Sequence, residues 1–302
     1  MPIKDVDIIH IGLPKCGSNY IQKGPLLDAQ NIELICPKFT KGLKEPYDAF
    51  LSGTKYIDHA NLREKTLSYF QDENKLWIVS QEDFCGDMIT GDGMYRSIID
   101  LRQMFTNASI MLVIRNPIDY LKSIYGHIVR RGVALTFKEF VSHNYILKSE
   151  GYTFSPAAHL MVRLQMLRLG KRLEELFGSE KVIILDFDLM VSQPDYLFRK
   201  IGLSPLSNTS KRSSTIYNKG LKSPSLTGYL NKFARTPFNY PVLPILPFRA
   251  ARAVGHLNCP MFPSKARIKN IMTAAASNDF SNLMTEYSDF SLSERGKYGY
   301  KS

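Results

Sequence analysis

Lysine 15 lies between two glycines, in the order Gly12-Leu13-Pro14-Lys15-Cys16-Gly17-Ser18-Asn19. An ammonium group inside a glycine-bearing turn suits an anion. Glycine lets the backbone approach a ligand closely, and the unpaired N–H groups of a first helical turn point at it. Lys15 adds a full charge to the partial charge of the helix dipole. Such a cradle takes a phosphate or a sulfate. The spacing of Gly12 and Gly17 matches a Walker A loop, G-x-x-x-x-G-K-[ST]. However, Ser18 stands where the lysine belongs and Asn19 where the magnesium-binding hydroxyl belongs. A magnesium-dependent NTPase would lack two of its working groups here. The competing account is a tight strand-to-helix turn with an exposed lysine.

A second constellation has the same layout. Ile110–Ile114 is a continuous apolar run, as in a strand buried on both faces, and Arg115 ends it. Asn116 can cap a helix that opens on Pro117, and Ser123 follows Arg115 by eight residues, about two helical turns. A strand-end arginine can grip a phosphate with two hydrogen bonds, and the serine hydroxyl can reach the same anion. A surface salt bridge and a back-bonded helical serine are the simpler alternatives. A third site candidate closes another apolar run. Leu76–Phe84 reads LWIVSQEDF, so Glu82 and Asp83 lie just past a buried strand. A carboxylate partly desolvated at a strand end is a better proton acceptor. Ser80 is a candidate contact beside it, and a capping or salt-bridged glutamate is the alternative.

The P-K-x-G-S order of residues 14–18 resembles the 5′-phosphosulfate loop of PAPS-dependent sulfotransferases, which commonly reads P-K-[ST]-G-T-[TS]. Cys16 and Asn19 depart from that pattern. The R-x-P run at Arg115 followed by Ser123 resembles the family's 3′-phosphate signature. Tyr217-Asn218-Lys219-Gly220 resembles the late loop that closes over the 3′-phosphoadenosine. The resemblance therefore implies a PAPS site built from Lys15, Cys16, Gly17, Ser18, Asn19, Arg115, Ser123, Asn218, Lys219 and Gly220, with PAP as product. Sulfuryl transfer needs in-line geometry, charge stabilisation on the leaving oxygen and a base for the acceptor proton. Lys15 would serve the leaving oxygen in place of a metal ion. Ser80-Gln81-Glu82 resembles the S-x-E segment of carbohydrate sulfotransferases, in which the glutamate is the base, so Glu82 and Lys15 are the expected catalytic pair. The chain looks most like the bacterial carbohydrate branch, which implies a glycan or glycolipid acceptor. Two other classes stay open: a P-loop small-molecule kinase and a non-catalytic PAP-binding protein.

Histidine is the alternative base. His10 falls inside the first apolar run and reads as a packed core residue. His59 lies in a loop before an expected helix, and His127, His143 and His159 lie on expected helices. Asp186 and Asp188, after the run Val182–Leu185, read as turn or cap residues.

The elements that must position these groups alternate. Strands are expected at 6–11, 32–36, 76–80, 110–114 and 181–186. Helices are expected at 18–29, 61–71, 93–105, 117–131, 135–147, 157–177 and 193–201. This pattern argues for an α/β fold: one P-loop-type parallel sheet with helices on both faces, with function at the carboxyl ends of the strands. Residues 38–58, 204–216 and 236–264 read as loops. The chain of 302 residues can bury one core without splitting. The resemblance covers residues 6–225 and implies that they are the nucleotide-binding framework of a single domain, with 226–302 as a basic segment whose role the sequence does not give.

Composition excludes several classes. Hydrophobic content of 44% and charged content of 22% are ordinary for a soluble protein. No run of about 18 apolar residues is present. Lys4, Asp5 and Asp7 precede the first apolar run, so no signal peptide is expected. Cys16, Cys36, Cys85 and Cys259 have neither C-x-x-C pairing nor metal spacing, which fits a reduced cytoplasm and no bound metal. Residues 211–270 hold eleven Lys and Arg and no Asp or Glu, which equals the whole net charge of +11. A solvated basic face, a groove for a polyanionic cofactor and an acidic glycan, and peripheral contact with anionic lipid all fit this segment. Nucleic acid fits poorly, because no recognised module accompanies the charge. Oligomeric state is not legible.

Overall fold

A computed structural model of the chain describes residues 4–53, 58–86, 93–130, 137, 140, 145–147, 152–154, 164–204 and 264–300. The described residues divide into two compact units. The first lies within Met1–Arg115, Gln165–Tyr217 and Glu286–Ser302, and the second within Asn116–Leu164 and Asn218–Thr285.

The first unit is built on five parallel strands: β1 (Ile8–Ile11), β2 (Ile32–Ile35), β3 (Leu76–Gln81), β4 (Ser109–Ile114) and β7 (Val182–Asp186). Their order across the sheet is β2-β3-β1-β4-β7, with every pair parallel. All four residues of β1 are buried, as are five of six in β3 and in β4. That is why these segments read as continuous apolar runs rather than alternating ones. Helices α1 (Ser18–Lys23), α2 (Lys44–Ser52), α3 (His59–Leu67), α4 (Met94–Met104), α6 (Met166–Phe177), α7 (Phe187–Ser192) and α8 (Pro194–Lys200) flank the sheet. The expected α/β fold is the observed one.

The strand order sets the place for chemistry. After β1 the chain crosses to β2 and β3 on one side, then to β4 and β7 on the other. β1 is thus the point where the winding reverses, the place at which open α/β sheets bind ligands beyond the carboxyl ends of their strands. The segments that leave β1, β3 and β4 border it, and they begin at Gly12, Glu82 and Arg115.

Several boundaries differ from the sequence expectation. The helix expected over 18–29 is only α1, which stops at Gly24 before Pro25, a pair that ends helices. The stretch 38–58, read as loop, contains α2, whose Tyr47 and Phe50 are buried. Part of the helix expected over 135–147 is a strand instead. β5 (Tyr145–Leu147) pairs antiparallel with β6 (Tyr152–Phe154), where aromatic and branched residues favour a pleated ladder over a helix.

The second unit contains this hairpin and α5 (Pro117–Arg130). Asn116 Oδ1 caps α5 by accepting from Ile118 N at 3.0 Å and Asp119 N at 3.4 Å, as its sequence promises. Tyr125, Phe137 and Phe140 form an aromatic cluster there, with ring centroids 5.3–6.0 Å apart. No helix is expected from the sequence in the C-terminal segment, yet α9 (Lys265–Tyr298) is the longest element described.

Within the first unit, the end of α9 docks through a buried polar cluster. Glu294 accepts from the Tyr196 hydroxyl at 2.6 Å and pairs with Lys200 Nζ at 2.7 Å. The Tyr287 hydroxyl donates to Asp186 Oδ2 at 3.2 Å. Burial lowers the Lys200 pKa, and the Glu294 carboxylate opposes that fall. Replacing Glu294 by leucine leaves the ammonium buried without its partner. The expected cost is about 3 kcal/mol in urea unfolding, with roughly half regained in the Lys200→Met/Glu294→Leu double variant. Equal losses in the two variants would show that the charge pair is not what matters.

Candidate functional site

The loop from β1 to α1 is bent by two residues of left-handed backbone. Gly17 has φ +93°, and Lys15 has φ +64°, the one positive value at a non-glycine residue among those described. A lysine pays a steric cost for this conformation, so its surroundings must hold it there. Alternation of ordinary and left-handed residues turns successive N–H groups toward one point and makes an anion-binding concavity. The amides of Gly17, Ser18 and Asn19 have no backbone acceptor among the described residues, and Gly17 caps α1 without a side-chain bond.

Two side chains from different strands hold Lys15 by its main chain. The Lys15 amide donates to Glu82 Oε1 at 3.3 Å, and Arg115 Nη1 donates to the Lys15 carbonyl at 2.8 Å. Both contacts follow from strand register. Ile11 sits opposite Gln81 in β3 and opposite Leu112 in β4, so Glu82 and Arg115 emerge beside the loop. Asp83, the other carboxylate of that turn, is engaged elsewhere: it accepts from Gln81 Nε2 at 2.8 Å and pairs with Lys38 at 3.1 Å.

Arg115 also lies over the Phe187 ring, 4.5 Å from its centroid, and its Nε is buried with no hydrogen-bond partner. Phe187 opens α7 after β7. Asp186 caps that helix by accepting from Asp188 N at 2.8 Å and Leu189 N at 3.0 Å, the structural role its sequence context suggests. The same ring packs against Gly17. A Cβ on Gly17 would lie 2.9 Å from both Phe187 and Met190. A Cβ on Gly12 would strike Ser18 Oγ and come within 2.9 Å of Glu82 Cα. Each glycine is therefore required by a close approach as well as by any ligand.

Beneath the loop lies a buried polar group of which only Ser80 was expected near the site. His10 Nδ1 is 2.7 Å from Ser80 Oγ, and Gln22 Nε2 donates to Ser80 Oγ at 3.1 Å and to the Ser80 carbonyl at 3.3 Å. His10 is the buried residue expected. Burial pushes its pKa down to about 3, so it is neutral. Ser80, considered as a contact beside the base, is fully buried instead and belongs to this cluster. His10 and Ser80 are register partners in β1 and β3, so their side chains leave the same face of the sheet.

The expected residues distribute as follows. Lys15, Cys16, Gly17, Ser18 and Asn19 form the loop, with the Cys16 side chain buried and its amide bonded to Leu13 O at 3.1 Å. Ser18 is buried, and its Oγ has no hydrogen-bond partner. Glu82 and Arg115 meet the loop from either side. Ser123 lies half-buried on α5 in the second unit. Asn218, Lys219 and Gly220, and most of the basic segment 211–270, lie outside the described residues. Sequence reasoning missed Phe187 and Met190, which carry no motif, and Gln22, whose place one helical turn past Ser18 was a usable signal. Among the described residues no group of three or more His, Cys, Asp and Glu gathers to hold a metal, and no helix is long and apolar enough to cross a membrane.

A parallel α/β sheet with a glycine-bearing strand-to-helix loop at its switch point is a P-loop-like architecture. No protein-family model matches the chain, and no curated protein matches it in sequence. Among solved structures, the sulfotransferase from Alicyclobacillus acidocaldarius matches with a TM-score of 0.50 and 17% identity, over 72% of this chain and 88% of that one. The sulfotransferase domain from the curacin biosynthetic pathway matches at a TM-score of 0.39 and 10% identity, over 90% of this chain and 97% of that one. At these identities the likeness to the first structure speaks for the fold alone.

Two outcomes follow from this geometry. Gly17→Ala strains the backbone and pushes on Phe187 and Met190. It should cost about 1–3 kcal/mol in thermal unfolding. His10 stays neutral in the native state while an unfolded chain takes up the proton near pH 6.5. Its contribution is nil above that pH, and stability then falls as the pH drops toward about 3, by up to ~1.4 kcal/mol per pH unit. Chemical unfolding at pH 7, 5.5 and 4.5 should show a shallower decline in His10→Gln than in the wild type.

Proposed function

We propose that the chain transfers the sulfuryl group of PAPS to a hydroxyl of a carbohydrate-type acceptor, by in-line transfer without a metal ion. The observation that carries this reading is the clamp on Lys15. A cation in an anion loop has a carboxylate on its amide and an arginine on its carbonyl. Charge stabilisation, proton acceptance and phosphate recognition, the needs of such a transfer, thus meet at one residue.

The residues present fit a 5′-phosphosulfate. The amides of residues 17–19, without a backbone acceptor among the described residues, and the buried Ser18 hydroxyl are polar groups in want of acceptors, as is the buried Arg115 Nε, which would serve the donor's other phosphate. The amides and Ser18 would hold the 5′-phosphate. Lys15 would place its ammonium against the oxygen between phosphorus and sulfur, where negative charge grows as the S–O bond breaks. Glu82, beside the loop, would accept the proton of the acceptor hydroxyl as it attacks in line. Arg115 and Ser123 would read the 3′-phosphate, and Asn218, Lys219 and Gly220 would close over the nucleotide. The basic charge of 211–270 suits both the polyanionic donor and an acidic glycan or glycolipid acceptor. The same segment also suits peripheral contact with anionic lipid in a cytoplasmic protein.

Calorimetric titration with PAP, ADP and ATP–Mg²⁺ side by side tests the donor. PAP is expected to bind at least about tenfold tighter than ADP, a difference of ~1.4 kcal/mol for the 3′-phosphate. Equal affinities, or preference for ATP–Mg²⁺, would favour the kinase. Lys15→Ala should abolish transfer, and Arg115→Ala should chiefly weaken PAP binding. Glu82→Gln should cost about 10²–10⁴-fold in kcat while leaving PAP affinity in place. Full transfer by Glu82→Gln would move the base elsewhere. PAP binding with no sulfated product from any acceptor pool would mark a binding protein.

A further inference from the structure

The hydrogen atoms of the cluster beneath the loop can be placed by elimination. Gln22 Nε2 faces two oxygens of Ser80, its carbonyl at 3.3 Å and its hydroxyl at 3.1 Å. Turning the amide over would set its oxygen against a carbonyl, which repels it, so Gln22 is the donor to both. The Ser80 hydroxyl thus accepts from Gln22 and has one proton to give. His10 Nδ1, at 2.7 Å, is the partner that can take it. Were Nδ1 the donor, the Ser80 proton would be stranded in a fully buried site. The imidazole proton is therefore on Nε2.

That Nε2–H has no hydrogen-bond partner, and His10 is fully buried. Ser18 Oγ is also buried and without a partner. Both lie beside Gly12. A Cβ there would strike Ser18 Oγ and lie 3.4 Å from His10 Cε1, the carbon between the two ring nitrogens. A lone donor and a lone hydroxyl are thus buried near each other under the loop, and a hydroxyl can accept on one side while donating on the other.

We propose that His10 is a positioning residue: its Nε2–H, directed by Gln22 and Ser80, supplies the hydrogen bond that Ser18 Oγ accepts, directly or through one water. The Ser18 proton then turns toward the anion in the loop. This rests on reading the loop as the 5′-phosphate site. His10 touches no reacting atom. A proton held on Nε2 by a buried chain of bonds gives the hydroxyl one direction, and so removes the reorganisation that would otherwise accompany anion binding. The absence of charge matters too. The low pKa of His10 keeps the imidazole neutral across the working range, so the arrangement does not change with pH above about 3.

The test compares PAP affinity in wild type, Ser18→Ala, His10→Leu, His10→Gln and the Ser18→Ala/His10→Leu double variant. Each of Ser18→Ala and His10→Leu should loosen PAP about tenfold. The double variant should be no worse than either single one, because both break the same link. His10→Gln keeps an N–H near the Nε2 position and should return to within about threefold of wild type. Losses that multiply, or a His10→Leu protein that melts lower with unchanged affinity, would overturn the proposal. Nitrogen-15 histidine spectra of the wild type read it without any variant that must fold. The His10 ring should show the Nε2–H tautomer, and its Nε2 resonance should move on addition of inorganic pyrophosphate in wild type but not in Ser18→Ala. If PAP fails to bind while pyrophosphate moves that resonance, the donor assignment falls and the positioning role stands. An Nδ1–H tautomer, or a resonance unmoved by both PAP and pyrophosphate, overturns the role itself.

Discussion

The left-handed backbone of Lys15 is the constraint around which the site is built. A non-glycine residue does not hold that conformation by preference. Here it is held from both ends, by Glu82 on its amide and Arg115 on its carbonyl. These bonds also neutralise the loop's own polar groups and bring a carboxylate and a guanidinium to the position of the lysine. The strain at one residue and the assembly of the charged groups are one feature. Removing either clamp would loosen the loop as well as delete a charge.

The clamp exists because of the sheet. Only a strand order in which β1 lies between β3 and β4 places the residues after Gln81 and Ile114 on either side of the residues after Ile11. A one-residue slip would turn every side chain to the opposite face, so it would part His10 from Ser80 and carry Glu82 and Arg115 away from the loop. The register of β1, β3 and β4 thus sets the positions of Lys15, Glu82 and Arg115 to within hydrogen-bonding distance. Support comes from two further directions. Phe187 and Met190 press on Gly17 from the start of α7, and the His10–Ser80–Gln22 cluster underlies Gly12. Both glycines are filled out by neighbouring side chains, which leaves the loop one shape.

Much of this was legible in the chain. The parallel sheet followed from continuous apolar runs of four to six residues, because strands buried on both faces have no polar alternation. Lys15, Glu82 and Arg115 could be picked out because each ends or follows such a run. The cap by Asn116 and the cap by Asp186 were readable from local hydrogen-bonding chemistry. Less legible were elements without a strong local signal. The strand Tyr145–Leu147 lies in a stretch that reads equally as helix, and pairing with Tyr152–Phe154 decides it. The C-terminal helix begins where the basic stretch 211–270 ends, in a region to which no element was assigned, and its buried Glu294 and Tyr287 find partners in β7, α7 and α8.

The sequence alone determined the types of group at the site and the strand ends that carry them. It did so because burial periodicity and glycine spacing are local properties. Tertiary structure decided which atoms meet. The bond from Arg115 to a carbonyl one hundred positions earlier, the placement of Phe187 under the same guanidinium and the turning of Ser80 inward toward His10 are products of strand order and register. Those depend on contacts between residues far apart in the chain, and no pattern within a window of the sequence encodes them.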